Sequence, residues 1–175
     1  ESNRAKGDTG LDAQAAAQAE QAAMAQVASA LNAQGGESMT MQRLLRHVVT
    51  RVTDEGLVIE IFDLPDAPLF LGDTAEPTGD TRKIAALLAE VLQLATNQIA
   101  VSGHVRSMPI TLLNNPVWDL STARAQAMRA LLQADGISNA RMDRISGHAD
   151  RKLAVADPTA MRNNRLEIIL LRRDR

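Results

Sequence analysis

Two strands that each end in a Gly-His turn, with one helix between them, constrain this chain more than any other feature. The first run, Gln98 to Ser102, leads into Gly103-His104-Val105-Arg106. The second, Arg141 to Ser146, leads into Gly147-His148-Ala149-Asp150. Between them, Asn115-Pro116-Val117-Trp118-Asp119-Leu120-Ser121-Thr122-Ala123-Arg124-Ala125 opens a helix with a turn residue, a proline at its start and an acid in the first turn. Val117, Leu120, Met128, Leu131 and Leu132 give the helix an apolar face, and Gly136 closes it as a C′ glycine near Asp135. A strand, a crossover helix and a parallel strand close with a right-handed turn. Both Gly-His turns therefore reach the same sheet edge, beside the start of the helix.

The preceding stretch reads as another such unit. Asp54-Glu55-Gly56 is a turn, and Leu57 to Phe62 is an apolar strand interrupted only by Glu60. Two prolines keep Asp63-Leu64-Pro65-Asp66-Ala67-Pro68 a loop, followed by the short apolar plug Leu69-Phe70-Leu71. Ile84, Leu87, Leu88, Val91 and Leu92 then recur at helical spacing. Asp157-Pro158 marks a turn with a short helical stretch after it. Leu166 to Leu171 is the last strand, and Arg172 to Arg175 reads as a solvated tail. The connection into that strand is too short for a crossover helix, so it enters antiparallel. The order β-α-β-α-β-β predicts an α+β fold: a two-layer sandwich with helices on one face of a small mixed sheet. The other face is left to solvent, to a partner or to the helix that precedes the first strand.

Residues 1–10 are polar and are expected to be disordered. Leu11 to Gln34 is rich in Ala and Gln and lacks Gly and Pro, which predicts a helix of about 24 residues and roughly 36 Å. Its stripe of Met24, Val27 and Leu31 reads as too thin for a core. The helix is then either a solvated spacer or a surface that pairs with a partner or a second copy. Gly35-Gly36 ends it, and Ser38 to Thr50 reads as a second helix with Met41, Leu44, Leu45, Val48 and Val49 on one face. The chain divides into 1–36, a flexible start and helical linker, and 37–175, a folded domain with its preceding helix.

Composition removes several functions. Net charge is −2, from 19 basic and 21 acidic residues, and aromatic residues make up 2%, so neither a basic footprint nor stacking platforms exist for nucleic acid. With no cysteine there are no disulfides, thiolate metal sites or Cys nucleophiles. No apolar run of about 18 residues is present to span a membrane. The start at Glu1, without Met or a signal-like segment, reads as a processed or truncated piece whose membrane or export segment lies upstream.

Ligands of parallel βα units bind beyond the carboxyl ends of the strands. Free N–H groups at the helix start and the guanidinium fork of Arg124 both suit a carboxylate. The alternative for Arg124 is a surface ion pair. His104, His148 and Asp150 are zinc-ligand types, but nothing in their spacing brings them together, so no metal or other cofactor is expected. Ser102 and Ser146 sit beside glycines, yet no feature marks a base to activate either. The chain reads as a binding module and not an enzyme.

These residues resemble the OmpA-like peptidoglycan-binding domains, and within them the MotB-like flagellar stator anchors. The resemblance covers roughly residues 50 to 171. It rests on Gly103-His104, on Trp118 to Ala125, on Gly147 to Asp150 and on Arg162-Asn163-Asn164-Arg165-Leu166-Glu167-Ile168. Gly56 to Ile61 and Pro68-Leu69-Phe70 match more loosely. The Trp-x-Leu-Ser-x-x-Arg-Ala segment is specific, whereas the strand matches are not. The resemblance implies a periplasmic, non-enzymatic wall anchor of a single-pass inner-membrane protein. It further implies a homodimer, a MotA-like membrane partner reached through an N-terminal part outside this chain, contacts with flagellar basal-body ring proteins, and linker helices that regulate activation. The ligand-binding residues it implies are His104, Val105, Arg106, Trp118, Leu120, Ser121, Arg124, Asp150, Asn163 and Arg165.

Three departures accompany it. Where the family has an Asp that pairs with the ammonium of the wall diamino acid, this chain has Arg106. Where the family has an Asn before the Leu-Ser pair, it has Val117. The Asn-Arg-Arg before the last strand is Asn163-Asn164-Arg165. The carboxylate-gripping arginine is matched by Arg124, so the anion half of a zwitterion site is kept while the ammonium half carries a cation. Asp150 is the alternative source of the missing carboxylate.

Overall fold

The computed structural model describes residues 2–109 and 114–173, with residues 2–8 described by backbone alone. Five strands form one sheet among the described residues: β1 Val48–Val52, β2 Gly56–Phe62, β3 Ile99–His104, β4 Met142–Gly147 and β5 Arg165–Leu171, in the order β1-β2-β5-β3-β4. The helices are α1 Ser2–Gln34, α2 Met39–Leu45, α3 Gly79–Leu92 and α4 Val117–Ala134. β3 and β4 run parallel on either side of the α4 crossover. β5 enters antiparallel between β2 and β3, as its short connection requires.

Strand alternation sorts the two faces. Leu57, Ile59 and Ile61 of β2, Ile99 and Val101 of β3, and Leu166, Ile168 and Leu170 of β5 share one core with Ile84, Leu88 and Leu92 of α3 and Met128 and Leu132 of α4. The intervening residues, Glu60, Ser102, His104, Arg165 and Glu167, lie on the opposite face. The glycines of the two Gly-His turns are paired across β3 and β4. A Cβ on Gly103 would land on the Ser121 carbonyl oxygen, and one on Gly147 would strike the Ser121 and Thr122 side chains. Both positions are bare so that α4 can lie directly on the strand ends. Gly136 at φ 109 ends α4, where the Ile137 N–H reaches the Leu132 carbonyl at 3.0 Å.

Several sequence expectations are corrected at the N-terminal end. The start of the chain is helical from Ser2, continuous with the Ala/Gln-rich segment. The thin stripe of that helix is core after all: Met24, Val27 and Leu31 are buried against the helical layer. Small neighbours, Ala23, Ala28 and Ala30, pack beside them and let the helix approach closely. The second helix stops at Leu45, capped at its start by the Ser38 hydroxyl, and residues 48 to 52 form the edge strand β1. That helix joins the helical layer through Leu44, so it does not cover the far face of the sheet. Arg172 and Arg173 are not a loose tail, since their backbone N–H groups bond the Glu55 carbonyl and the Glu20 carboxylate at 2.9 and 2.7 Å.

Candidate functional site

The edge where β3 and β4 end is assembled by the first turns of α4. The Ser121 hydroxyl, fully buried, donates to the Trp118 carbonyl at 2.9 Å and accepts the Ala149 N–H at 3.0 Å. Ala149 has φ 51, a left-handed conformation that a residue with a Cβ adopts reluctantly. It is held there from both sides, because its carbonyl also accepts the Val105 N–H at 2.9 Å. Val105, Val117, Leu120 and Ala149 close into a small apolar cluster under this turn. Val105, Leu120 and Ser121 thus shape the edge from beneath. Asp150 accepts the Ser107 hydroxyl at 2.8 Å and ties the second turn to the exit of β3. Trp118 stands outward, 51% exposed.

Arg124 is 6% exposed, so it is not a surface ion pair. Its Nε donates to the Thr74 carbonyl at 2.9 Å and its Nη2 to the Gly72 carbonyl at 3.0 Å, with the guanidinium carbon 4.8 Å from the Phe70 ring centroid. Nη1 bonds no described residue. Burial lowers the Arg124 pKa, Asp63 and Asp73 counter that effect, and Arg106 adds to it. Arg124 thus lies within electrostatic range of a second cation, Arg106, and of the Asp63 and Asp73 carboxylates.

Asp63, from the start of the loop after β2, is 7% exposed and accepts the Leu69 N–H at 2.8 Å and the Asn164 side-chain amide at 3.1 Å. Burial pushes its pKa up, against the opposing pull of these bonds and of Arg124 and His47. The Asn164 amide oxygen in turn accepts the Arg106 N–H at 2.8 Å. Asn164 therefore bridges the loop after β2 to the exit of β3.

His104 and Arg165 lie on the opposite face of the sheet, directly across from each other in β3 and β5. The His104 ring stacks on His148 with centroids 4.8 Å apart and planes 12° apart, so the in-plane nitrogen lone pairs do not converge on a common point. Its Nε2 lies 3.6 Å from Glu167, beyond a hydrogen bond, and both ring nitrogens are buried with no hydrogen-bond partner among the described residues. Glu60, 4% exposed, meets Arg162 at 2.5 Å, Arg51 at 2.7 Å and Arg165 at 3.4 Å, and Arg51 also reaches Glu167 at 2.9 Å. The Glu167 pKa is lowered to about 2, burial being outweighed by His104, Arg51 and Arg165. Asn163 pins the loop above this network. Its side-chain oxygen accepts the Ala154 and Val155 N–H groups at 2.7 and 3.1 Å, and its amide donates to the Asp157 carbonyl at 2.7 Å.

The residues singled out in the sequence thus fall into two groups. Val105, Arg106, Trp118, Leu120, Ser121, Arg124 and Asp150 gather at the β3–α4 edge, while His104, Asn163 and Arg165 belong to the far face and its loop. Sequence reading passed over Asp63, Asn164 and the Gly72 and Thr74 carbonyls. Only Asn164 carried a signal, being the polar residue of opposite parity to Asn163 at the entry to β5. The loop from Ser107 to Asn115, expected to return to the helix start, includes residues 110–113, which lie outside the described residues.

The OmpA family matches residues 69–166, more than half of the chain. Motility protein B of Escherichia coli (strain K12) is 31% identical over 139 residues, covering 77% of this chain and 45% of that protein. The chain thus spans about half the length of this curated relative. Among solved structures, the periplasmic domain of Helicobacter pylori MotB shares the fold, with a TM-score of 0.61 at 18% identity over 72% of this chain and 82% of that one. The cell wall anchor of the T6SS from Pseudomonas aeruginosa has a TM-score of 0.61 at 26% identity, over 74% of this chain and 96% of that one. The chain belongs to the OmpA family, as a non-enzymatic domain of the peptidoglycan-binding type related to motility protein B.

Proposed function

We propose that this chain is the periplasmic anchor of a flagellar motor stator, holding an ion-driven torque generator to peptidoglycan. The observation that carries the reading is Arg124, set in α4 between the two strand exits in a chain 31% identical to motility protein B. The wall stem peptide offers its carboxylate to this edge, where Arg124, with Nη1 bonding no described residue, supplies the cation. The longer protein crosses the inner membrane once and meets a MotA-like partner there. Two copies act together, raising the effective concentration of wall sites under load. The docked α1 is the regulatory linker, and basal-body ring proteins are neighbours in the assembled motor.

Arg106 weakens this grip, because a lost hydrogen bond to a charged group costs about 1.5–3 kcal/mol and a repelling charge adds to that. Titration calorimetry with a diaminopimelate-containing stem peptide tests both halves. Arg106→Asp is expected to tighten binding about ten-fold or more, and Arg124→Ala to abolish it. If the first leaves affinity unchanged the charge argument falls, and if the second does so the site assignment falls with it.

A second reading, a wall-binding domain of an outer-membrane protein or lipoprotein with no part in motility, is favoured by the 26% identity to the secretion-system anchor. Swimming of cells carrying Arg124→Ala separates the two. Loss of swimming with flagella still assembled supports the stator, and unimpaired swimming supports the general wall binder.

A further inference from the structure

A buried imidazole ordinarily spends its ring nitrogens on hydrogen bonds. His47 does so, with one nitrogen 2.8 Å from the Phe62 carbonyl. His104 does not: it is 3% exposed, and neither nitrogen has a hydrogen-bond partner among the described residues. What it has is a second imidazole, the His148 ring, stacked at 4.8 Å.

The stack sits where the two Gly-His turns are joined. The His148 N–H donates to the Gly103 carbonyl and the Val105 N–H to the Ala149 carbonyl, both at 2.9 Å, so the turns are bonded on either side of the rings. These bonds, with the Ser121 hydroxyl on the Ala149 N–H, hold Ala149 at φ 51, a conformation that alanine leaves once released. Val105 and Arg106 follow one ring, and Ala149 and Asp150 follow the other. Whatever parts the rings therefore reaches the strand-end edge directly.

Charge limits how many protons the stack accepts. Two neutral rings stack favourably. One imidazolium on a neutral ring is a cation–π pair, with Glu167 3.6 Å from His104 Nε2 as its counter-ion. A second proton has no counter-ion of its own. Glu167 already serves Arg51 of β1 at 2.9 Å and Arg165 of β5 at 3.6 Å, while Arg165 and Lys152 add positive potential at His148. The Ser146 hydroxyl, 3.3 Å from His148 Nε2, and Ser102 behind it bring no charge. Two stacked imidazoliums repel, and burial keeps water from screening them.

We propose that the His104–His148 stack is an acid-operated clasp: protonation of both rings parts the two Gly-His turns, lets Ala149 relax and loosens the edge between them. The clasp follows from the fold alone. Its consequence for ligand, a weaker grip in acid, rests on the wall-binding reading.

The chain has three histidines, so each ring resonance is assignable by substitution and can be followed by NMR from about pH 8 to about pH 5. Hydrogen-exchange protection factors of the Val105, His148 and Ala149 amides are expected to fall about ten-fold or more over that range as both rings titrate. Those of the β2–β5 ladder stay unchanged. His148→Phe, which keeps a planar ring and takes no proton, is expected to hold all of them protected, and His104→Phe serves as a second variant for exchange. By calorimetry, stem-peptide affinity is expected to drop about five-fold or more between about pH 7.5 and about pH 5.5 in the wild type. In His148→Phe the drop stays within about two-fold. Protection that survives titration of both rings, or an equal loss in both variants, overturns the clasp. Lost protection with affinity indifferent to acid overturns its link to the edge. Failure to bind the peptide at any pH overturns the wall-binding reading, while the exchange result still decides the clasp.

Discussion

Glu60 is the residue on which the far face of the sheet turns. Its carboxylate is almost enclosed and faces three guanidiniums from three different segments, β1, the turn before β5, and β5 itself. Removing one partner of a buried ionic group leaves the others unpaired, which typically destabilises by about 3–5 kcal/mol. Glu60→Gln is expected to lower the urea midpoint accordingly without changing the slope, and a loss below about 1 kcal/mol would show that the network is solvated. None of this was legible in the sequence, where Glu60 reads only as an interruption of an apolar strand. The same holds for Arg124. Its helix and position follow from the motif, but its two carbonyl partners lie 50 and 52 residues upstream, in a loop whose path no local pattern encodes. Residue types and spacings disclose which side chains are available, while their partners are chosen by long-range packing.

Among the elements, β1 and α1 are where local pattern and structure part company. Met41, Leu44, Leu45 and Val48 follow helical spacing, which favours continuing the helix. Val48-Val49-Thr50-Arg51-Val52 is nevertheless a β-branched run, and pairing with β2 decides in its favour. The helix ends at Leu45, and the ring nitrogen of His47 just beyond it lies 2.8 Å from the Phe62 carbonyl. For α1, three apolar residues looked insufficient because the alanines between them contribute closeness and not area. Leu31, 2% exposed, is therefore a full core residue, and Leu31→Ala is expected to cost about 2–5 kcal/mol by thermal or urea unfolding. Further along the helix, Glu20 takes N–H groups from Asn97 and from the backbone of Arg173, both at 2.7 Å. Glu20→Ala is expected to speed amide exchange in the N-terminal half of α1 while leaving strand exchange unaltered, since that half contributes little else to the core. The sheet core, α3, α4 and the antiparallel entry of β5 were legible because their periodicities and turn glycines agree with their final packing.

For the molecule as a whole, acid is the condition that separates its charged parts. His148 is held below its ordinary pKa by burial and by its neighbours His104 and Lys152. The unfolded chain therefore takes up that proton first, and stability falls as pH drops below about 6.5. Glu167 sits at about 2 against an ordinary 4.5, so its contribution is complete above the higher value and is lost as pH falls toward the lower one. Asp63, raised by burial, works in the opposite sense and softens the second decline. A Tm measured from pH 7.5 to 3 is expected to fall in two stages. His148→Asn flattens the first and Glu167→Gln the second, and a wild-type Tm independent of pH would refute both assignments.

The strand at the centre of the sheet is also the last to be synthesised. Until residue 171 has emerged, β2 and β3 each expose an edge that only β5 can occupy, and the half-made sheet is a template for any extended peptide nearby. The two central pairings thus wait on β5, while β1–β2 and β3–β4 can form before it, so the two halves of the sheet join late. A chain threading into the periplasm would need its unfinished sheet kept apart from its neighbours until that moment.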